Sequence, residues 1–375
     1  MRGFLGWFAL GALALLVAGC AAFLPPQIEG VYPNKAAVAT EVTVRGHGFG
    51  STPGTVSIGG QAGEVLGWTD VAIRVRIPVI ETPGGDPRNA PVIVIAATGA
   101  IGPFDFTVVR GILFASNRFG NFEIMVMNLD GSGTTNLTRH PSTDARPSWS
   151  PDGTKVAFVS DRTGNGDVYT MNADGTGLVR LTDGPELEGA PSWSPDGERI
   201  AFHRFLSDHF EIWVMDSDGS DRAPLLVGEL IGTAPSWSPD GTKIAYHSAI
   251  TGYDDILVYT FVPGGFTLTN LTTGTSSAEA APVWSPDGSR IAFQSDRDGN
   301  VEIYVMNAMG ENLTRLTNNP AIDEFPTWSP DGHQIVFDSN RGGTFELYSI
   351  TLGTLVTVQL THEAGADDGQ PAWNN

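Results

Sequence analysis

The chain has 375 residues, 41% hydrophobic and 17% charged, with 46 glycines and 25 prolines, a composition that suits about two globular domains of short strands and tight turns rather than long helices. A formal net charge of −21 excludes a phosphate-binding surface for nucleic acid, which needs clustered Lys and Arg. It permits a cationic partner or metal ions, although an acidic surface is also the ordinary device for staying soluble. The single cysteine, Cys20, excludes an intrachain disulfide and a Cys-ligated zinc cluster.

Residues 1–19 combine a positive Arg2, an apolar run from Phe4 to Val17 and the small residues Ala18 and Gly19 just before Cys20. This resembles the bacterial lipobox. The resemblance implies a lipoprotein signal peptide, cleavage before Cys20, lipidation of its thiol and export to the cell envelope. Each buried CH₂ of an acyl chain contributes about 0.8 kcal/mol, so two or three chains anchor stably. Ala21 after the cysteine suggests outer-membrane sorting in a Gram-negative cell. Residues 20–25 form a tether too short to hold the next domain far from the membrane.

From 26 to 109 the sequence alternates with period two in EVTVRGHGFG, TVSIGG, VAIRVRIP and APVIVIAATG, with turn residues between. Roughly seven strands in this length suit an immunoglobulin-like sandwich. PQIEGVYPN, VTVRGHGFG, VSIGG and VAIRVRIP resemble the IPT/TIG domain, a family that implies a spacer or interaction module. Gly46, Gly48 and Gly50 lack the Lys-Ser/Thr and helix of a phosphate loop, so they read as a β-turn.

Residues 110–375 are repetitive. WSPDG begins at Trp149, Trp193, Trp237, Trp284 and Trp328, and a truncated copy, PAWNN, carries Trp373. Each unit holds four strands in about 44 residues, the period of a propeller blade. The first unit, GILFASNR, lacks the WSPDG strand, and the segment around QPAWNN is that strand alone. Together they complete a sixth blade, giving an all-β chain: a sandwich followed by a six-bladed β-propeller closed by both ends. PSWSPDG, IAFQSDRDGN and EIYVMNAMGENLTRLT resemble the TolB-type, WD-repeat-like propeller repeat.

Alternating strand direction puts the loops between units on the same face as the SDR-type loops, with the SPDG turns opposite. Asp144, Glu188, Gly232, Glu279, Asp323 and Asp368 stand three residues before each motif proline. Five of the six are acidic and should ring one mouth of the channel, where like charges repel. A bound cation, Ca²⁺ being favoured by carboxylate oxygens, or pairing with Arg118, Arg162, Arg297 and Arg341 would compensate. The four units with that Arg also have the acid; Glu188 lacks an aligned Arg and the Trp237 unit lacks both. This joint presence favours ion pairs over a metal. DSDGSD and SDRDGNVE lack the twelfth-position Glu of a calcium loop and read as turns. The six motif tryptophans suit blade-to-blade packing better than a carbohydrate platform.

The seven histidines show neither HExxH nor a shared repeat position, and no GxSxG elbow is present. The sequence therefore reads as a non-catalytic envelope scaffold that binds a protein or peptide through the loop-rich mouth of the propeller. Glycan binding is the alternative, and a propeller lyase or hydrolase a more distant one.

Overall fold

The computed structural model describes residues 26–373 except 33–34, 38–39, 79–91, 97–98, 105–106, 110, 226–231 and 251. The signal peptide, Cys20 and the tether at 20–25 lie outside the described residues.

Residues 27–109 form a seven-stranded antiparallel sheet with a short parallel ribbon, Lys35–Ala37 beside Thr107–Val109. The strand Gln61–Trp68 serves both halves of the sheet. Its first residues pair with Thr55–Ile58, then it crosses over, and Glu64–Trp68 pair with Ala72–Arg76. Gly63 marks the change, since a Cβ there would meet the Val75 side chain at 2.5 Å. The alternating valines and isoleucines anticipated by the period-two pattern, including Val42, Val44, Ile73, Val75, Val92 and Val94, fill one core between the halves.

The remainder folds into six four-stranded antiparallel sheets arranged as blades around one axis. Blades one to five begin at Asp144, Glu188, Thr233, Glu279 and Asp323. Blade six is built from both ends of this segment. Asp368–Ala372 supplies its innermost strand and pairs antiparallel with Ile112–Ser116, Leu113 facing Ala372 and Ser116 facing Asp368. The innermost strands of successive blades contact one another, and the last meets the first, so the ring has no open edge there.

The repeated residues explain the blade. In each SPDG turn the serine and aspartate fold back on the chain. Ser150 Oγ donates to Asp152 Oδ1 at 2.6 Å while accepting from the Lys155 N–H, and Gly153 takes the left-handed conformation that closes the hairpin (φ 73°). The motif tryptophans are at most 8% exposed and pack between blades. Trp149 Nε1 donates to the Gly111 carbonyl of blade six at 3.0 Å, and Trp328 Nε1 to the Val283 carbonyl of blade four at 3.1 Å. Basic residues following the previous blade's turn cover several of these rings: Arg199 over Trp237, Lys243 over Trp284 and Arg290 over Trp328.

The sandwich meets the outer rim of blade six, where Thr40 Oγ1 donates to Asn128 Oδ1 at 3.0 Å in a buried contact.

Candidate functional site

The five carboxylates singled out by the repeat are buried, between 0% and 2% exposed. In four blades each is bound by the arginine of its own blade: Arg162–Asp144 at 2.9 Å, Arg297–Glu279 at 2.9 Å, Arg341–Asp323 at 3.0 Å and Arg118–Asp368 at 2.6 Å. Each arginine is fixed from two further sides. Its Nε donates to the serine two residues earlier, at 2.8 to 3.1 Å, and its guanidinium lies 5.5–5.7 Å from the centre of the blade's buried Phe ring.

These groups therefore mortar the blades. None of the five carboxylates lines the axial cavity, so the expected acidic ring at the mouth is not presented to a ligand. In four blades a Ca²⁺ ion there would have to displace the paired arginine. Among the described residues no cluster of three or more His, Asp or Glu is arranged to hold a metal. The DSDGSD and SDRDGNVE segments cap turns: Asp218 Oδ1 accepts from Ser220 N, and Asp298 Oδ2 accepts from the Tyr304 hydroxyl.

Blades two and three depart from this scheme. In blade two Glu188 does have an arginine, Arg204, which occupies the position of the conserved serine rather than of the conserved arginine. Its Nε lies 3.5 Å from Glu188 Oε1, but its hydrogen bond goes to Glu186, and Glu188 Oε2 is buried without a partner. Burial pushes the Glu188 carboxyl up to about 7, against the pull of Arg204. In blade three the acid is replaced by Gly232, because Tyr246 stands where other blades have Phe. A Cβ at 232 would meet the Tyr246 ring at 2.6 Å. The arginine position holds Ile250.

The axis itself is lined by residues that the motif search passed over. Two positions after each acid the innermost strand bulges, and Arg146, Ala190, Ala234, Ala281, Phe325 and Gln370 all adopt positive φ, between 48° and 55°. These six residues form one end of a cavity of about 460 Å³ that runs to the SPDG turns, walled by the motif prolines, serines and tryptophans. On the other side of the bulges an arc of polar side chains arises from the second strands of blades two to five, the position holding Val159 in blade one and Ala115 in blade six. His203, His247, Gln294 and Asp338 occupy one repeat position, directly across from Gly189, Thr233, Ala280 and Glu324.

The bulge ring and the polar arc are stitched blade to blade. The bulge N–H groups of Ala234, Ala281 and Phe325 donate to His203 Nδ1, His247 Nδ1 and Gln294 Oε1 of the preceding blade, at 3.4, 3.4 and 3.0 Å. Arg146 N donates to Gln370 Oε1 at 2.9 Å. Since Nδ1 accepts, each histidine carries its proton on Nε2, and His247 donates it to Thr233 Oγ1 at 2.6 Å. Burial, helped by Arg146, lowers His203 to about 3 and His247 to about 4, so both are neutral at physiological pH. Opposite them, burial raises Asp338 well above the usual carboxylate range and the neighbouring Glu324 adds to the shift. Glu324 is also raised by burial, with Arg146 pulling it down. Both members of this cross-strand pair are thus pushed upward by burial. The expectation that the histidines share no repeat position is thus corrected. His203 and His247 are 44 residues apart, each after an Ile-Ala-aromatic triplet, and that register was the available signal.

The geometry defines a class: an all-β chain with a sandwich followed by a six-bladed propeller whose axis carries an arc of polar side chains. Comparison with known proteins agrees. The profile of the TolB β-propeller domain matches residues 109–208 and 203–374, and that of the IPT/TIG domain matches 26–108. The chain belongs to the TolB β-propeller family and carries an IPT/TIG domain before the propeller. It shares its fold with TolB of Acinetobacter baumannii (TM-score 0.64, 21% identity, 78% of this chain and 80% of that one). It likewise resembles a putative TolB of Agrobacterium tumefaciens (TM-score 0.56, 22% identity, 67% and 88%). Short stretches are similar to cyclomaltodextrin glucanotransferases. One, from Thermoanaerobacterium thermosulfurigenes, is 37% identical over 59 residues, and another, from Bacillus sp. (strain 1011), is 32% identical over 103. The chain spans only 8% and 12% of the length of those enzymes.

Proposed function

We propose that this protein is a non-catalytic, lipid-anchored envelope scaffold that captures a protein partner on the loop face of its propeller, around blades two and three. The observation that carries the reading is a local change in surface chemistry. In blades one, four, five and six the loop face carries arginines locked onto carboxylates. Blades two and three carry four exposed apolar side chains there, Leu187, Phe205, Ile250 and Tyr253, between 37% and 52% exposed, against Ile322 in blade five and Phe119 in blade six. Phe205 is held rigidly, its N–H bonded to the Leu187 carbonyl at 2.8 Å and its ring 4.9 Å from Phe210. Pre-ordered aromatic groups on an otherwise polar face are what a protein interface uses as anchors.

The export signal and lipidated Cys20 belong to the same proposal and rest on residues 1–20. A Cys20→Ser variant should move from the membrane fraction to the soluble envelope fraction. For the binding face, affinity capture from crosslinked envelopes should recover a partner with the intact protein. Recovery should drop with Phe205→Ser/Tyr253→Ser and persist with Phe266→Ser, an equally exposed aromatic on the outer hairpin of blade three. Undiminished capture by the double variant would remove the assignment of the face. Glycan binding gains little from the buried tryptophans, and a glycan array separates it from the protein-binding reading.

A further inference from the structure

We propose that the half of the channel between the bulge ring and the SPDG turns is a binding pocket for a small organic monocarboxylate, with Arg146 as its anion receptor. The site is independent of the loop face proposed above and lies on the opposite side of the bulges.

Among the six residues at the inner end of this cavity five are uncharged, and Arg146 is the single ionic group. Its surroundings differ from those of the blade arginines. Those four each spend their donors on a serine and a carboxylate. Among the described residues, the Arg146 side chain makes no hydrogen bond, and no carboxylate oxygen comes within 4.0 Å of it. Its contact is with the Phe325 ring, 5.2 Å from its centre. Glu324 and Asp338 act on it from beyond the bulge ring but are not part of the cavity wall. A guanidinium has five N–H donors in a rigid fork suited to a carboxylate. Such a group, partly exposed at the cavity and stacked on an aromatic ring, keeps its N–H donors open to a carboxylate.

The walls limit the rest of the ligand. Pro147, Pro191, Pro235, Pro282, Pro326 and Pro371 encircle the axis with serines between them, so its body meets CH-rich and polar surface in similar measure. About 460 Å³ admits a molecule of roughly small-ligand size and not a folded segment. The chemistry selected is one carboxylate on a compact apolar or CH-rich body.

Calorimetric titration with benzoate, glucuronate and inorganic phosphate, and with the neutral analogues benzamide and glucose, tests this on the intact protein. Benzoate or glucuronate should bind at least about tenfold more tightly than its neutral counterpart, the difference that about 1.4 kcal/mol supplies. Arg146→Gln should abolish that preference, while Glu324→Gln, which removes a competing negative charge, should tighten carboxylate binding severalfold. The two opposite effects cannot both come from misfolding. No saturable binding by either carboxylate, equal binding of the neutral analogues, preference for phosphate alone, or an Arg146→Gln variant that binds as the intact protein would each overturn the proposal.

Discussion

Blades one, four, five and six and blades two and three solve the same packing problem with different chemistry. The first group buries a carboxylate at the start of the innermost strand and covers it with an arginine that a serine and a phenylalanine hold in place. The second keeps an incompletely paired Glu188 in one blade and a glycine under a tyrosine in the other. The difference teaches that the ion pair is one of several ways to fill the position. Where it is absent, the loop face carries more exposed apolar side chains (Leu187, Phe205, Ile250 and Tyr253) than in the four paired blades, which show Phe119 and Ile322.

Removing the arginine from a consensus blade should have the largest effect on stability. Arg341→Met leaves Asp323 buried with Asn319 Nδ2 as its remaining side-chain donor, an arrangement that costs about 3 kcal/mol. The corresponding fall in melting temperature should be clearly larger than that of Arg204→Met in blade two, whose hydrogen-bonded partner Glu186 is partly exposed. Equal losses would erase the distinction between the two groups of blades. Next comes Gly232→Ala, which drives a methyl into the Tyr246 ring and should cost about 1–3 kcal/mol. Denaturant titration reads it directly.

Two pH experiments give smaller effects. Glu188 has a folded value of about 7 against an ordinary 4.5, so its protonated form favours the folded state. That contribution is intact below pH 4.5 and is lost as pH rises through 7. Glu188→Gln should therefore melt higher than the parent at pH 8 by about 2–4 °C, the shift that ~1 kcal/mol gives in a chain of this kind, and show no such gain at pH 4.5. His203 and His247 behave oppositely. Their folded values of about 3 and 4 lie below the ordinary 6.5, so their contribution is present above 6.5 and is lost as pH falls through 4 and 3. Nitrogen-15 NMR should find both rings neutral, with the proton on Nε2, down to about pH 4. A ring that titrates near 6.5 would show that the channel is wetter than its hydrogen bonds imply.

The blade count and ring closure were legible because WSPDG recurs at fixed spacing and the two partial units are complementary. The acid–arginine pairs were legible because the partners occur together in the same four repeats. Arg204 escaped because it takes the serine position, so its side chain reaches Glu188 from a different register. Arg146 escaped for a deeper reason: at its repeat position the other blades carry Ala, Phe or Gln, and the strand alternation that assigns faces breaks at the bulge. The single sheet around the sandwich core was likewise hidden, since alternation marks which residues point inward and not where the strand Gln61–Trp68 changes neighbours.

The seam in blade six also sets an order of events during biogenesis. Until Asp368–Ala372 has been synthesised and released, Ile112–Ser116 presents a bare hydrogen-bonding edge, and five assembled blades have no lock. The propeller is therefore completed only when that strand docks, and the preceding interval is when a chaperone or protease has its opening.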